Sequence, residues 1–329
     1  MLDESLDFLR CPKTKQTLGF SKAVHRTDNE DQLVSIDGQN WYPFVEGIPR
    51  FVPKKNYADN FGKQWNYFRK TQLDSNSGVP ISFNRFWNAT GWEPNELKNK
   101  WVLDAGCGAG RFAEIALKAG AKVVALDYSS AVNAVKRNLY PHPNLFIVQA
   151  DIYALPFRDD FFDFVYSLGV LQHTPNVEKA FKALLPVLKP GGQICADFYW
   201  KRFRTLMHSK YLLRPITKRV SEDQLFKFLE RNITKLLLAS NTLRKIPLIG
   251  VAMKRLVPVA NYTGIFPLDD KKLIEWALLD TFDMLSPTFD NPKSKRTVKN
   301  LFESSGLLDI EVLHASHLVG RGRKATKKE

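Results

Sequence analysis

The stretch that most constrains this chain is residues 101–111, which read W-V-L-D-A-G-C-G-A-G-R. Trp101, Val102 and Leu103 form a short apolar run that predicts a buried strand, and Asp104 ends it. Gly106, Gly108 and Gly110 then alternate with small residues before Arg111, Phe112 and Ala113 open a helical pattern. Strand, glycine turn and helix make the first crossover of a nucleotide-binding α/β sheet. The glycines permit a tight turn and close approach of a ligand, and the helix N-terminus offers free N–H groups.

The spacing separates two readings of that turn. The dinucleotide fingerprint is G-x-G-x-x-G, whereas here the glycines run G-x-G-x-G with an acid, Asp104, two positions before the first. A dinucleotide brings a pyrophosphate, which a carboxylate repels. A donor carrying an ammonium and a sulfonium suits a carboxylate. The arrangement resembles motif I of the class I S-adenosylmethionine-dependent methyltransferases, of the methyltransferase type 11 or UbiE-like kind.

The following segments extend the resemblance. Residues 122–126 (K-V-V-A-L) predict a second strand ending at Asp127, 23 residues after Asp104. An acid at about 20 residues beyond a glycine turn is placed to accept from ribose hydroxyls. A third strand (L-F-I-V) falls within residues 143–150 and is closed by Asp151 and Ile152. In the family that acidic position meets the adenine amino group and its apolar neighbour packs on the ring. Residues 161–166 predict a fourth strand, followed by Ser167–His173, then L-P-V-L-K-P-G-G and a fifth strand over 193–198. The resemblance implies an α/β fold: a Rossmann-like seven-stranded methyltransferase sheet with a small N-terminal β-module and a helical lid insertion. It assigns S-adenosyl-L-methionine to Asp104, Ala105, Gly106, Cys107, Gly108, Gly110, Asp127, Tyr128, Asp151, Ile152 and Leu168, with S-adenosyl-L-homocysteine as product.

The chain has 329 residues, enough for one domain of about 200–250 residues and an extra module. Its 44% hydrophobic and 25% charged residues are those of an ordinary soluble protein. Cys11, Cys107 and Cys195 are too scattered for a disulfide framework or a metal cluster, which fits a reducing cytoplasm. The start, M-L-D-E-S-L-D-F-L-R, lacks the basic-then-apolar order of a signal peptide. No run reaches the roughly 18 apolar residues of a membrane span. The expected location is cytoplasmic or peripheral at the inner membrane face.

Residues 1–56 read as a separate module. F-L-R-C-P-K-T-K-Q-T-L near its start and W-Y-P-F-V-E-G-I-P-R-F-V at its end resemble the small zinc-ribbon-like domains of the Trm112 kind. Thr14 stands where those carry a second cysteine, and one thiolate cannot make a tetrahedral zinc site. The expectation is a metal-free module held by Leu9, Leu18, Tyr42, Phe44 and Ile48. It would serve as a docking or scaffold element, or in substrate delivery. Residues 57–99 form a linker and helices that cover the cofactor. Tyr57, Phe61, Trp65 and Phe68 fall at helical spacing there, and Gln64, Trp65 and Gln72 are candidates for the pocket mouth.

After the core of residues 100–200, residues 201–268 read as a basic, leucine-rich lid with helical stretches broken at Pro215, Pro247 and Pro258. Residues 201–265 hold 14 Lys or Arg against three acids, a net of +11 that accounts for most of the chain's +14. An insertion here sits over the carboxyl ends of the strands, where ligands bind. Three partners compete for it: an anionic small molecule or sugar carrier, an anionic membrane surface, and RNA phosphates. Its bases alternate with aliphatics rather than the stacking aromatics of a single-strand binder, which favours the first two. Helices are expected over 269–279 and 293–305, with Gly306 as a cap. A strand over 308–313 and a hairpin return at 317–319 would complete the domain of residues 269–320. Residues 321–329 would be a basic tail, disordered or surface-bound. Residues 280–290 (D-T-F-D-M-L-S-P-T-F-D) lie between those helices, and their Asp280 and Asp283 are candidate pocket residues.

Methyl transfer is an in-line displacement that requires alignment and exclusion of water. A hydroxyl acceptor also requires a base. His173, following the fourth strand, is the candidate base or else orients a loop. The first expectation is methylation of a small molecule, glycan or lipid-linked metabolite on oxygen, with no metal. The alternatives are an RNA methyltransferase and a non-catalytic S-adenosylmethionine-binding partner. No Asn/Asp-Pro-Pro-Tyr signature follows the fourth strand.

Overall fold

A computed structural model describes residues 7–21, 31–53, 56, 58–202 and 209–326, without the side chains of 251, 252 and 255. The first six residues, Tyr57, Phe203, Arg204 and residues 327–329 of the tail lie outside the described residues.

The chain opens with a four-stranded antiparallel meander, β1 (Leu18–Ser21), β2 (Gln32–Ser35), β3 (Trp41–Val45) and β4 (Ile48–Pro49), paired in sequence order. Two helices follow, α1 (Asp59–Tyr67) and α2 (Ile81–Thr90). The main sheet begins with β5 (Trp101–Ala105), α3 (Arg111–Lys118), β6 (Lys122–Asp127), α4 (Val132–Leu139) and β7 (Leu145–Gln149). It continues with β8 (Phe162–Ser167), α5 (Val177–Ala183) and β9 (Leu188–Phe198). The lid contributes α6 (Ser209–Thr217) and α7 (Glu222–Arg244), and after it come α8 (Asp270–Leu285) and α9 (Lys295–Glu303). The hairpin β10 (Leu307–Ala315) and β11 (His317–Lys324) ends the sheet.

The seven strands lie in the order β10-β11-β9-β8-β5-β6-β7. β5 to β9 are parallel, and β11 runs antiparallel to both of its neighbours. The chain direction across the sheet reverses between β5 and β8, which opens a crevice at their carboxyl ends. This is the seven-stranded sheet of the class I methyltransferase fold, with a separate small antiparallel sheet at the N-terminal side.

A parallel sheet must be covered on both faces. Alternation along β5 sends Val102 to one cluster, with Phe112, Ile115 and Phe86, and Leu103 to the other, with Phe146, Phe162 and Phe181. On the second face the connection from β7 to β8, residues 150–161, contains no helix. The N-terminal module covers that gap. Phe8, Leu9, Leu18, Leu33 and Tyr42 belong to the same buried cluster as Leu103 and Phe146. Phe8 stacks on Phe161 at 5.0 Å and meets Trp101 at 5.3 Å. Leu9 bridges to Phe157, and Arg50 bridges to Gln149. Of the residues expected to hold a self-contained module, Leu9, Leu18 and Tyr42 thus share the main core, Phe44 packs against it, and Ile48 joins the opposite cluster. Cys11 is buried with its Sγ 3.1 Å from the Tyr42 hydroxyl.

The lid helices form a third cluster. Leu225, Leu229, Ile233 and Leu237 of α7 face Leu278, Phe282 and Leu285 of α8, with Phe68 and the edge of Trp65. Ser221, Asp269 and Ser294 accept from the backbone N–H three residues on, capping α7, α8 and α9 and supplying acceptors for otherwise orphaned donors.

Several boundaries differ from those read in the sequence. Asp104 lies inside β5 rather than ending it, and β9 starts at Leu188, five residues before Gln193. Pro215 stands inside α6 instead of breaking it. α8 runs on to Leu285 because Phe282 and Leu285 continue its buried stripe, so Asp280 and Asp283 are helical. β11 continues through Lys324, into the stretch expected as tail. Residues 318–323 pair with 193–198 of β9, and a Cβ at Gly320 would lie 2.6 Å from the Phe302 ring. Lys324 ends that strand in an ion pair with Asp160 at 2.8 Å.

Phe8→Ala should cost about 3–5 kcal/mol, as for other large-to-small core changes, with denaturation of the whole chain remaining one transition. An unchanged main transition beside a separate early one would show that the module folds on its own.

Candidate active site

The crevice between β5 and β8 opens into a cavity of about 460 Å³, a common size for a small-molecule site. At one end lies the turn after β5. Gly106 and Gly108 have φ of +93° and +53°, a region that residues with a Cβ enter at a cost. A Cβ at Gly106 would lie 2.4 Å from Val170, and one at Gly108 would lie 3.1 Å from the Trp65 ring. The turn therefore passes between a loop and an aromatic ring with room for backbone only. At the end of β6, Asp127 Oδ2 accepts from Gly108 N at 3.0 Å, and its Oδ1 accepts from Ser129 N and Oγ at 2.8 and 2.7 Å. Ile152 and Leu168 add apolar wall, and Tyr128 and Cys107 complete it.

Asp104 lies behind that wall, 2% exposed, with Oδ2 lacking any hydrogen-bond partner. Burial pushes its carboxyl up to about 8, and the charge of Asp127 adds to the rise. An acid raised by desolvation is what a cationic ligand beside it would relieve. Ala105 and Gly110 are buried around the turn without reaching the cavity. Asp151 stands outside the wall, where Oδ1 accepts from Tyr153 N at 2.9 Å. Gln64 is also off the wall, 3% exposed, with neither amide atom bonded, whereas its neighbour Trp65 lines the cavity.

The far end is built from α8, β9 and the segment before β5. Gln72 Nε2 donates to Asp280 Oδ1 at 3.0 Å, and Trp276 Nε1 donates to Asp280 Oδ2 at 3.0 Å. The Tyr262 hydroxyl also donates to Oδ2. Burial raises the Asp280 carboxyl to about 6. Arg111 binds Gln72 Oε1 and, at 3.1 Å, Ser82 Oγ, and packs on the Phe112 ring. Burial lowers the Arg111 guanidinium to about 9.

His173 sits on a short 3₁₀ turn after β8 and lines the same cavity. Its Nδ1 lies 3.1 Å from the Phe289 carbonyl, and its Nε2 lies 3.3 Å from the Tyr199 hydroxyl. A carbonyl can only accept, so the partners assign the proton to Nδ1 and leave the Nε2 lone pair toward Tyr199. The Tyr199 hydroxyl is 3.4 Å from Asp283 Oδ2. One phenolic proton thus faces two acceptors. Burial, with Asp283 nearby, holds that phenol well above its ordinary value, so it stays protonated. Beside it the buried Asp197 pairs with the half-buried Arg85 and His317, with Arg85 Nη2 and His317 Nδ1 at 2.8 and 3.0 Å from Asp197 Oδ2.

The cavity therefore gathers His173, Asp127, the glycine turn, Trp65, Gln72, Asp280 and Asp283, and leaves Gln64 and Asp151 off its wall. Sequence reasoning passed over Tyr199, Arg85, Arg111, Lys210 and Tyr262, which also line it. For Tyr199 a signal existed: it directly follows β9, at the carboxyl edge where the other strands also deliver site residues.

A family profile described as a methyltransferase domain matches residues 103–196. The biotin biosynthesis bifunctional protein BioHC of Cellvibrio japonicus is 28% identical over 175 residues, 53% of this chain and 32% of that protein. The ubiquinone biosynthesis O-methyltransferase of Coxiella burnetii is 30% identical over 115 residues, 34% of this chain and 49% of that protein. The chain spans about half or less of the length of these curated relatives. Among solved structures, human N-acetylserotonin methyltransferase in complex with SAM aligns with 84% of this chain and 61% of its own, at 15% identity and a TM-score of 0.46.

Asp104 binds its proton more tightly folded than unfolded, so its contribution to stability is greatest at low pH. It is lost as pH rises from the ordinary 3.8 toward about 8. Denaturation across that range should show Asp104→Asn gaining on the parent chain as pH rises, and a constant difference would refute the raised carboxyl. A methyltransferase-domain profile thus matches residues 103–196, and these lie on a complete seven-stranded sheet of the class I methyltransferase fold.

Proposed function

We propose that this chain transfers a methyl group from S-adenosylmethionine to a hydroxyl of a small or lipid-linked acceptor. The observation that carries this reading is the single cavity joining the glycine turn and Asp127 to His173 and Tyr199. The donor would be held by the Gly106–Gly108 backbone, by Asp127 accepting from its ribose, and by Ile152 and Leu168 against its base. Asp104 would lie nearest its positive groups. When bound, it supplies a sulfonium-activated methyl carbon. The residues fit such a ligand. The turn excludes side chains, the unpartnered Asp104 Oδ2 favours a cation, and the apolar wall suits a ring.

The chain's own residues supply the rest. His173, held through Nδ1 by the Phe289 carbonyl, presents its Nε2 lone pair to take the acceptor's proton. Tyr199 holds that nitrogen in the meantime and then turns its proton to Asp283. Phe61 and Trp65 exclude water from the reacting end. Small-molecule chemistry is supported by the ubiquinone biosynthesis O-methyltransferase among the relatives. In this reading residues 1–56, Trm112-like in motif, serve as a scaffold for the sheet face, because Phe8 and Leu9 are part of its core.

Asp127→Ala should weaken donor binding by about 1–3 kcal/mol, the cost of leaving ligand hydroxyls unpaired, and calorimetry showing equal affinity would remove its ribose role. His173→Ala should keep donor affinity and slow turnover at least ~100-fold. Unchanged turnover would leave His173 a loop-orienting residue. The acceptor class is tested with methyl-labelled donor and a fractionated cell extract. Label in small metabolites or lipids supports the reading, and label in RNA overturns it.

A further inference from the structure

The outer end of the lid carries a feature that the cavity does not use. Beyond α7 the chain turns through residues 244–249, R-K-I-P-L-I, all of them exposed. Leu248 is wholly exposed and Ile249 is 54% exposed. Leu248 sits at φ +64°, a backbone region costly for a leucine, and points away from the lid's own core. Leu256 and Ile265, each more than half exposed, belong to the same end. The 3₁₀ turn Lys254–Leu256 packs on α7, and Arg244 Nη1 donates to the Thr263 carbonyl at 3.1 Å.

This end is also uniformly basic. Residues 241–265 contain Arg244, Lys245, Lys254 and Arg255 and no acidic residue. Clustered exposed aliphatics mark an interaction surface, and the surrounding charge selects the partner. A second copy of the chain would bring the same positive charge to the contact. Nucleic acid would look for rings to stack on. The aromatics here, Tyr262 and Phe266, stack on each other at 4.5 Å, and Tyr262 is tied to Asp280 inside the lid. Aliphatic tips ringed by bases match an anionic bilayer, whose interface takes apolar side chains while its headgroups take Lys and Arg.

We propose that this end of the lid docks on anionic lipid, with Ile246, Leu248 and Ile249 entering the interface and Arg244, Lys245 and Lys254 meeting headgroup phosphates. The same lid also lines the cavity, through Lys210, Ala260 and Tyr262. Docking would therefore set the cavity beside the lipid surface. The inference stands apart from the methyl-transfer reading, because its test needs no catalysis.

The test is co-sedimentation of the full chain with vesicles of phosphatidylcholine alone or in equal parts with phosphatidylglycerol. Binding is expected to the mixed vesicles and to fall at least about tenfold without the anionic lipid, or when Lys245→Glu and Lys254→Glu remove two basic contacts. Leu248→Asp with Ile249→Asp should abolish binding with an unchanged melting temperature, since neither side chain supports the core. The proposal is overturned if mixed vesicles are not bound or if the aspartate pair binds as the parent does. It is also overturned if size exclusion shows a dimer that Leu248→Asp dissolves, or if the same variants lose binding to total RNA while vesicles are ignored.

Discussion

Every part of this structure depends on keeping water from both faces of a parallel sheet. β5 to β7 are nearly all buried, and unpaired backbone beside them would be costly. Helices meet that need on one face and on part of the other, where α5 and α9 bring Phe181 and Phe302. On the other, the connection between β7 and β8 has no helix, and Phe8, Leu9 and Tyr42 of the N-terminal module fill the space with their side chains. The small antiparallel sheet is therefore better understood as the missing layer of the large one than as an appendage. Arg50 strengthens the junction, donating to Gln149 Oε1 at 2.6 Å and to Asn133 Oδ1 at 2.8 Å.

The cavity is the place where this dry interior carries charge. Asp104, Arg111 and Asp280 all have their charged forms disfavoured by burial, while Asp197 is held well below its ordinary range by His317 and Arg85 against the burial that would raise it. The difference is partnership. Asp197 has the Arg85 guanidinium and the His317 imidazole within 3.0 Å, and Asp104 has an oxygen with no bond at all. Asp197 is paired and so stays charged beside β9, whereas the bare Asp104 oxygen stands just behind the cavity, where a cationic ligand can complete it.

What was legible in the sequence follows the range of the interactions involved. The strands β5 to β8 were visible because a strand buried on both faces must be an apolar run, and the glycine turn because close backbone approach tolerates little else. Asp127, Ile152 and Leu168 came from the family resemblance and His173 from its place after the fourth strand, and all four line the cavity. Contacts between distant segments left no local trace. Nothing in F-L-R-C-P predicts that Phe8 would stack on Phe161, and nothing around Arg111 announces Gln72, which lies 39 residues away. The final strand was cut short because R-G-R-K looks solvated. Its pairing depends on β9, and its glycines make sense only beside Phe302.

One helix is shared by the two ends of the cavity. Trp65 of α1 lies over the Gly108 turn, and Phe68, one residue past the helix end, is buried in the lid's own core. Tyr67 reaches Glu230 of α7 at 3.3 Å. A movement that lifts the indole from the turn must carry Phe68 with it and loosen the lid. Opening over the glycine turn and loosening of the lid are then one event rather than two.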